Sequence, residues 1–138
     1  MNALKAVPFL LLVAGAVVVG FSKAGQSQSA AATSFKDDVM PIIKKYCLPC
    51  HSEDDYNPSE LSLDSYELMM EGGKHGVPVV PGNPEKSILV AKVTGAATFG
   101  DPMPLSKKLS DGTMQQKHLT DQELATLKAW ITEGAKDN

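Results

Sequence analysis

The stretch FKDDVMPIIKKYCLPCH, residues 35–51, sets the organisation of this chain. Its apolar residues recur at spacings of three and four, which predicts an amphipathic helix that leads into two closely spaced cysteines. Ser34 is placed to cap this helix, and Pro41 lies inside it. Because proline lacks the N–H that a helix interior needs, we expect a kink or two short helical pieces here.

The helix leads into Cys47-Leu48-Pro49-Cys50-His51, which has the Cys-x-x-Cys-His pattern that attaches c-type haem. Two thiols at this spacing can join the two vinyl groups of one porphyrin, and the adjacent histidine can ligate the iron. The chain contains no other cysteine. We therefore predict one covalently bound haem c on Cys47 and Cys50, with His51 as an axial ligand of its iron.

Three other kinds of site use closely spaced cysteines. A thioredoxin-like redox pair needs a βαβ setting, which the sequence lacks. A zinc site needs a fourth protein ligand and usually a second cysteine pair. A structural disulfide at this spacing is strained. Haem attachment is the interpretation that we favour.

A haem that only carries electrons needs a second axial ligand, and a methionine sulfur favours ferrous iron. The candidates are Met40, Met69, Met70, Met103, Met114, His75 and His118. Met103 lies between two prolines, whose fixed backbone torsions can hold a thioether in a loop. We favour Met103, with Met114 and the two histidines as alternatives.

Three further helices are predicted over residues 65–71, 84–93 and 120–134. The first ends at a glycine pair, the second begins with a proline behind a capping Asn83, and the last opens with a capping box at residues 120–123. Only residues 77–81 look extended, and residues 95–118 look irregular. The predicted fold class is all-α with large loops.

Residues 1–24 have the order of a secretory signal peptide, with one early lysine, an apolar run over residues 6–21 and a small polar end. An uncleaved membrane anchor is the alternative, because the run is just short of the roughly 17–25 residues that span a bilayer. Residues 25–33 are predicted to be a flexible linker, and residues 34–138 the haem domain. Both alternatives place the domain in the periplasm or another extracytoplasmic compartment, and a retained anchor would tether it to the inner membrane.

The composition argues against one class of binding partner, the nucleic acids. The 138 residues include 13 lysines, no arginine and 16 acidic residues, for a net charge of −3, which disfavours nucleic-acid binding. Aromatic residues are few, with one Trp, three Tyr and four Phe, so a haem would supply apolar bulk that the side chains lack.

The sequence resembles a mono-haem cytochrome c, and more narrowly the planctomycete-type cytochrome c domain. The matching stretches are residues 35–51, 61–66 (LSLDSY), 72–75 (GGKH), 80–89 (VPGNPEKSIL), 103–104 (MP) and 119–135 (LTDQELATLKAWITEGA). The resemblance implies a small cytochrome-c-like helical domain, with long loops around one covalent haem and with its first and last helices crossing. It also implies that Cys47, Cys50, His51 and Met103 are the haem residues. Two departures are Leu105, where a second proline is usual, and residues 106–118, which look like an added loop.

These features predict electron transfer rather than enzyme activity, because an iron with two protein ligands has no open coordination site. The partners would be other redox proteins, which dock transiently or within a membrane complex. Lys44, Lys45, Lys107 and Lys108 flank the ligand-bearing segments and are candidates for a docking ring. Two alternatives stay open: a membrane-tethered subunit of a respiratory or photosynthetic complex, and a haem-based sensor or peroxidase in which Met103 leaves the iron.

Overall fold

Four short α-helices and one small β-ribbon are joined by long loops in the computed structural model, which describes residues 31–48, 50–54 and 57–138. The helices are α1 (Met40–Tyr46), α2 (Tyr66–Glu71), α3 (Ile88–Thr94) and α4 (Asp121–Thr132). A π-helical turn, Phe35–Val39, precedes α1, and a 3₁₀ turn, Pro84–Lys86, precedes α3. The strands are β1 (Lys107–Lys108) and β2 (Met114–Gln115).

The signal peptide or anchor predicted over residues 1–24, including the apolar run, lies outside the described residues. Within the described part of the chain, no helix combines the length and the apolar character needed to cross a membrane.

The first helix changes type at Pro41 and does not break. Ser34 caps it by accepting a hydrogen bond from the Asp37 amide at 3.1 Å. The Met40 amide donates to the Phe35 carbonyl, which gives the wider π-helical spacing. Pro41 then falls in the first turn of α1, the part of an α-helix that best tolerates a residue without an N–H. The two predicted pieces are therefore present as a π-helical turn that continues directly into an α-helix.

The helix predicted over residues 84–93 is wrong as a single element. The structure divides it at Ser87, whose backbone is extended and whose side chain is buried. The Ser87 hydroxyl accepts a hydrogen bond from the Val80 amide at 2.9 Å and donates to the Asn83 carbonyl at 2.9 Å. These two bonds hold the preceding loop, so Ser87 cannot take helical torsions. The helices predicted over residues 65–71 and 120–134 are present as α2 and α4, which begin one residue later, behind the caps Ser65 and Thr120, and the predicted capping box of α4 is formed.

The core joins the start of the described domain to its end. The rings of Phe35 and Trp130 lie 5.3 Å apart, and Tyr66 meets Phe35 edge to face at 5.3 Å. The Trp130 indole N–H donates to the Lys136 carbonyl at 2.8 Å, and the Phe35 amide donates to the Asn138 side chain at 2.9 Å. The first helical turn and α4 therefore pack together, and the crossing of the first and last helices that the resemblance implied stays a prediction.

The fold is mostly helical but not purely all-α, which corrects the predicted fold class. The antiparallel strands β1 and β2 pair Lys107 with Gln115 within the added loop. The turn between them is built from polar residues: the Asp111 carboxylate accepts from the Thr113 amide at 2.9 Å, and Gly112 supplies a φ of +86°. Strands of two residues are too short to show alternating hydropathy, so the sequence pattern gave no sign of them.

Candidate functional site

A cleft with a volume of about 290 Å³ brings together segments that are distant in sequence, and apolar atoms line most of it. One side, the motif wall, consists of Tyr46, Cys47, His51, Pro58, Ser59, Leu61 and Leu63. Another, the methionine wall, consists of Lys92, Val93, Phe99, Gly100, Asp101, Met103 and Pro104. Residues 73–76, Pro78 and the start of α3 complete the lining.

The two predicted attachment cysteines differ in position. Cys47 is half-buried and lines the cleft, and its burial raises the pKa of its thiol to about 12. Cys50 is exposed and lies outside the cleft lining. Both are free thiols, so the disulfide alternative finds no support. The zinc alternative finds none either, since the described residues contain no cluster of three or more His, Cys, Asp or Glu side chains that could hold a metal ion.

The imidazole of His51 is oriented by a backbone carbonyl. Its Nδ1 lies 3.2 Å from the Leu61 carbonyl oxygen, which can only accept a hydrogen bond. The Ser59 hydroxyl, 3.3 Å from the same nitrogen, donates to the Asn57 side chain at 2.7 Å. We therefore assign the ring proton to Nδ1, which leaves the lone pair on Nε2 for a metal.

The loop behind His51 is held by several hydrogen bonds of its own. The Asn57 side-chain amide donates to the Leu61 carbonyl at 2.6 Å. The Lys74 amide donates to the Ser59 carbonyl at 2.9 Å. At Gly73 the loops approach so closely that a Cβ atom would lie 2.6 Å from the Ser59 carbonyl oxygen. The motif wall therefore requires a residue without a side chain at position 73.

Met103 lines the cleft as part of the methionine wall. It is half-buried, and its backbone N–H donates to the Lys92 carbonyl at 3.0 Å. The Lys92 ammonium in turn donates to the carbonyls of Phe99 and Asp101, the latter at 3.1 Å, and lies 4.4 Å from the centroid of the Phe99 ring. Sequence reasoning missed Lys92, because a lysine in a helical pattern carries no sign of a tertiary partner.

The candidate ligands other than Met103 differ in whether they line the cleft. Met114 is 61% exposed in β2, and neither it nor the exposed His118 lines the cleft. Met40, Met69 and Met70 belong to or pack against the hydrophobic core. His75 does line the cleft, and its ring stacks on Phe99 with centroids 4.1 Å apart. Met103 and His75 are therefore the two sequence candidates that reach the cleft.

The residues of the cleft fit a haem. The apolar lining suits a large apolar ring, Cys47 offers a thiol at its edge, and His51 and Met103 offer an imidazole nitrogen and a thioether sulfur. Cys50 is the one predicted residue that the structure leaves outside the lining.

The comparison with protein families matches the part of the chain that contains these donors. Residues 47–104 match the family model of planctomycete cytochrome C, a range that includes the motif, α2, α3 and Met103. The match identifies a cytochrome c domain, the class to which the attachment motif and the cleft point. More narrowly, residues 47–104 match the planctomycete-type cytochrome c domain, which confirms the predicted resemblance. The family implies haem c as cofactor, and cytochrome c domains are typically electron carriers rather than enzymes. Comparison with curated proteins and with solved structures found no match.

Proposed function

We propose that this chain transfers electrons through a single haem c, attached to Cys47 and Cys50 and ligated by His51 and Met103. The observation that carries the proposal is the shared cleft: a thiol and an imidazole from the attachment motif face the same apolar space as a thioether more than fifty residues further along the chain. The haem, when bound, supplies an iron that gains and loses one electron.

The protein's own groups set the properties of that iron. Because the Leu61 carbonyl holds the Nδ1 proton of His51, the imidazole would present its Nε2 lone pair to the iron as a stronger electron donor. The neutral sulfur of Met103 favours the ferrous state. The apolar walls keep water away, which also penalises the more highly charged ferric state. All three effects concern electron affinity and none of them activates a substrate, which supports electron transfer over catalysis.

The docking surface and the compartment follow from charge and from the N-terminal sequence. Lys44, Lys107 and Lys108 are exposed, whereas Lys45 forms an ion pair with Glu123 at 2.7 Å and is less available to a partner. We propose weak, salt-sensitive docking with extracytoplasmic or membrane-bound redox proteins. Retention of residues 6–21 would make the chain a membrane-tethered electron-transfer subunit, and N-terminal sequencing of the native protein decides between the two forms.

A carbon monoxide titration of the reduced protein tests the ligation. The parent should not bind carbon monoxide at neutral pH, because the Met103 sulfur would already ligate the iron. Met103→Ala should bind it stoichiometrically and show a lower reduction potential. If the parent itself binds carbon monoxide readily, the sensor or peroxidase alternative replaces electron transfer. If Met103→Ala behaves like the parent, the distal ligand is another residue, and His75 is the next to test.

A further inference from the structure

Lys92 is the one lysine of the methionine wall, and its contacts are all directed at the segment that carries Met103. It lies on α3, half-buried, at the edge of the cleft. Most lysines on a helix of a small domain extend into solvent, so a lysine whose ammonium group is covered by a loop is unusual.

The ammonium group takes up three partners in that loop. It donates to the carbonyl oxygens of Phe99 and Asp101 and lies over the Phe99 ring. Gly100, between them, has a φ of +55°, and a Cβ atom there would lie 3.0 Å from the Lys92 ammonium nitrogen. The loop therefore bends around the ammonium group, and its two carbonyls point inward because a cation satisfies them.

A second attachment comes from the backbone of the same residue. The Met103 amide donates to the Lys92 carbonyl at 3.0 Å. Lys92 thus fixes residues 99–103 at both ends, with its side chain holding the beginning and its carbonyl holding the end. Residues 99–103 contain no helix or strand that would fix them in another way.

We infer that Lys92 is a positioning residue that holds the Met103 sulfur in the cleft. The inference rests on the proposed function, in which Met103 is the distal ligand. A hydrogen bond from a charged donor is stronger than one between neutral groups. Loss of the side-chain contacts should make the thioether easier to displace by about tenfold or more, since about 1.4 kcal/mol corresponds to tenfold in an equilibrium constant.

The test is the affinity of the ferric holoprotein for added imidazole, which competes with Met103 for the iron. Lys92→Met, which keeps the length of the side chain and removes its donors, should bind imidazole about tenfold more tightly than the parent. Lys92→Arg, which keeps charge and donors, should return most of the parent behaviour. Lys86→Met, at an exposed lysine in the 3₁₀ turn before α3, should leave the affinity unchanged.

The reduction potential separates positioning from simple charge. Removing a cation near the iron lowers the potential even when the methionine stays bound, so a lower potential in Lys92→Met with unchanged imidazole affinity and an unchanged methionine–iron charge-transfer band would overturn the inference. Failure of the proposed function looks different: Met103→Ala would then leave the imidazole affinity as it is in the parent.

Hydrogen exchange of the parent holoprotein supplies a readout that needs no variant. The Met103 amide should be protected, because it donates to Lys92 within the loop. Exchange of this amide at the rate of an open chain would overturn the inference, even if Lys92→Met fails to yield holoprotein.

Discussion

The motif wall and the methionine wall present their ligands to the same cleft, but they are held in different ways. His51 is oriented by groups within ten residues of it, the Leu61 carbonyl and the loop that Asn57 supports. Met103 depends on Lys92, a residue of another element. The difference indicates that the first ligand is held by a network of loop hydrogen bonds and the second by a residue of the neighbouring helix α3.

The largest expected effect is the complete loss of covalent haem when both cysteines of the attachment motif are removed. Exchange of both Cys47 and Cys50 for serine should abolish covalent haem, because no other cysteine in the chain can form a thioether. Met103→Ala should retain a full complement of haem, since the methionine wall only ligates. Haem staining after denaturing electrophoresis measures both. Covalent haem in the double variant would contradict the account of attachment, and haem loss from Met103→Ala would remove the distinction between the walls.

Gly73→Ala should be the strongest single disturbance of the loop behind His51. A Cβ atom at position 73 would meet the Ser59 carbonyl oxygen at 2.6 Å and the Leu61 side chain at 2.8 Å, so one of the two loops has to move. We expect a loss of about 2–3 kcal/mol in the free energy of unfolding. The control is Gly112→Ala in the β-ribbon, where the new Cβ has open space and only the positive φ costs about 1–2 kcal/mol.

Urea unfolding of the two holoproteins measures this difference. Equal destabilisation by the two alanines would show that the close approach at Gly73 does not support the motif wall.

A smaller loss of stability is expected when a side chain that supports either wall is shortened: Asn57 for the motif wall and Gln116 for the methionine wall. Asn57→Ala removes a 2.6 Å hydrogen bond to the Leu61 carbonyl and should cost about 1–1.5 kcal/mol. Gln116→Ala removes a long, 3.4 Å contact to the Pro104 carbonyl and a solvent-exposed hydrogen bond accepted from the Ser106 hydroxyl, and it should change stability by less than about 0.5 kcal/mol. Urea midpoints of the two variants give the comparison. A larger loss from Gln116→Ala would mean that the added loop, and not Lys92 alone, holds the methionine wall.

The smallest effect concerns pH. Glu123 accepts hydrogen bonds from the Lys45 ammonium, the Thr120 amide and the Tyr46 hydroxyl, which lower the pKa of its carboxyl from 4.5 to about 2. A carboxylate with a lowered pKa stabilises the fold above its unfolded pKa of 4.5, and this contribution is lost as the pH falls towards 2. Glu123→Gln should therefore be less stable than the parent at pH 6 and similar to it at pH 2.

Unfolding curves at the two pH values check this expectation. The result also bears on the motif wall, because Tyr46, which donates a hydrogen bond to Glu123, is part of that wall. A stability difference that does not change with pH would show that the Glu123 charge does not tie α1 to α4.

The sequence predicted the local features and missed the tertiary ones. The attachment motif, the cap at Ser34 and the capping box of α4 each depend on a sequence pattern of no more than five residues. The interruption at Ser87 could not be predicted, because it depends on bonds that a buried hydroxyl makes to Val80 and Asn83.

In the candidate site, too, the residues within local motifs were predicted and the tertiary contacts were missed. Cys47, His51 and Met103 were predicted from spacing, prolines and resemblance, and the structure brings them to one cleft. The role of Lys92 and the stacking of His75 on Phe99 depend on how α3 meets the following loop, which no local pattern encodes. The two-residue strands were missed because their pairing is made by a turn and not by hydropathy.

The mass of the intact, exported chain, together with its alkaline pyridine absorption spectrum, tests the central claim most directly. The account predicts a mass increase equal to one haem and the spectrum of a haem joined by two thioether bonds. A colourless protein whose mass equals that of its amino acids alone would contradict it, since no electron could then be carried in this cleft.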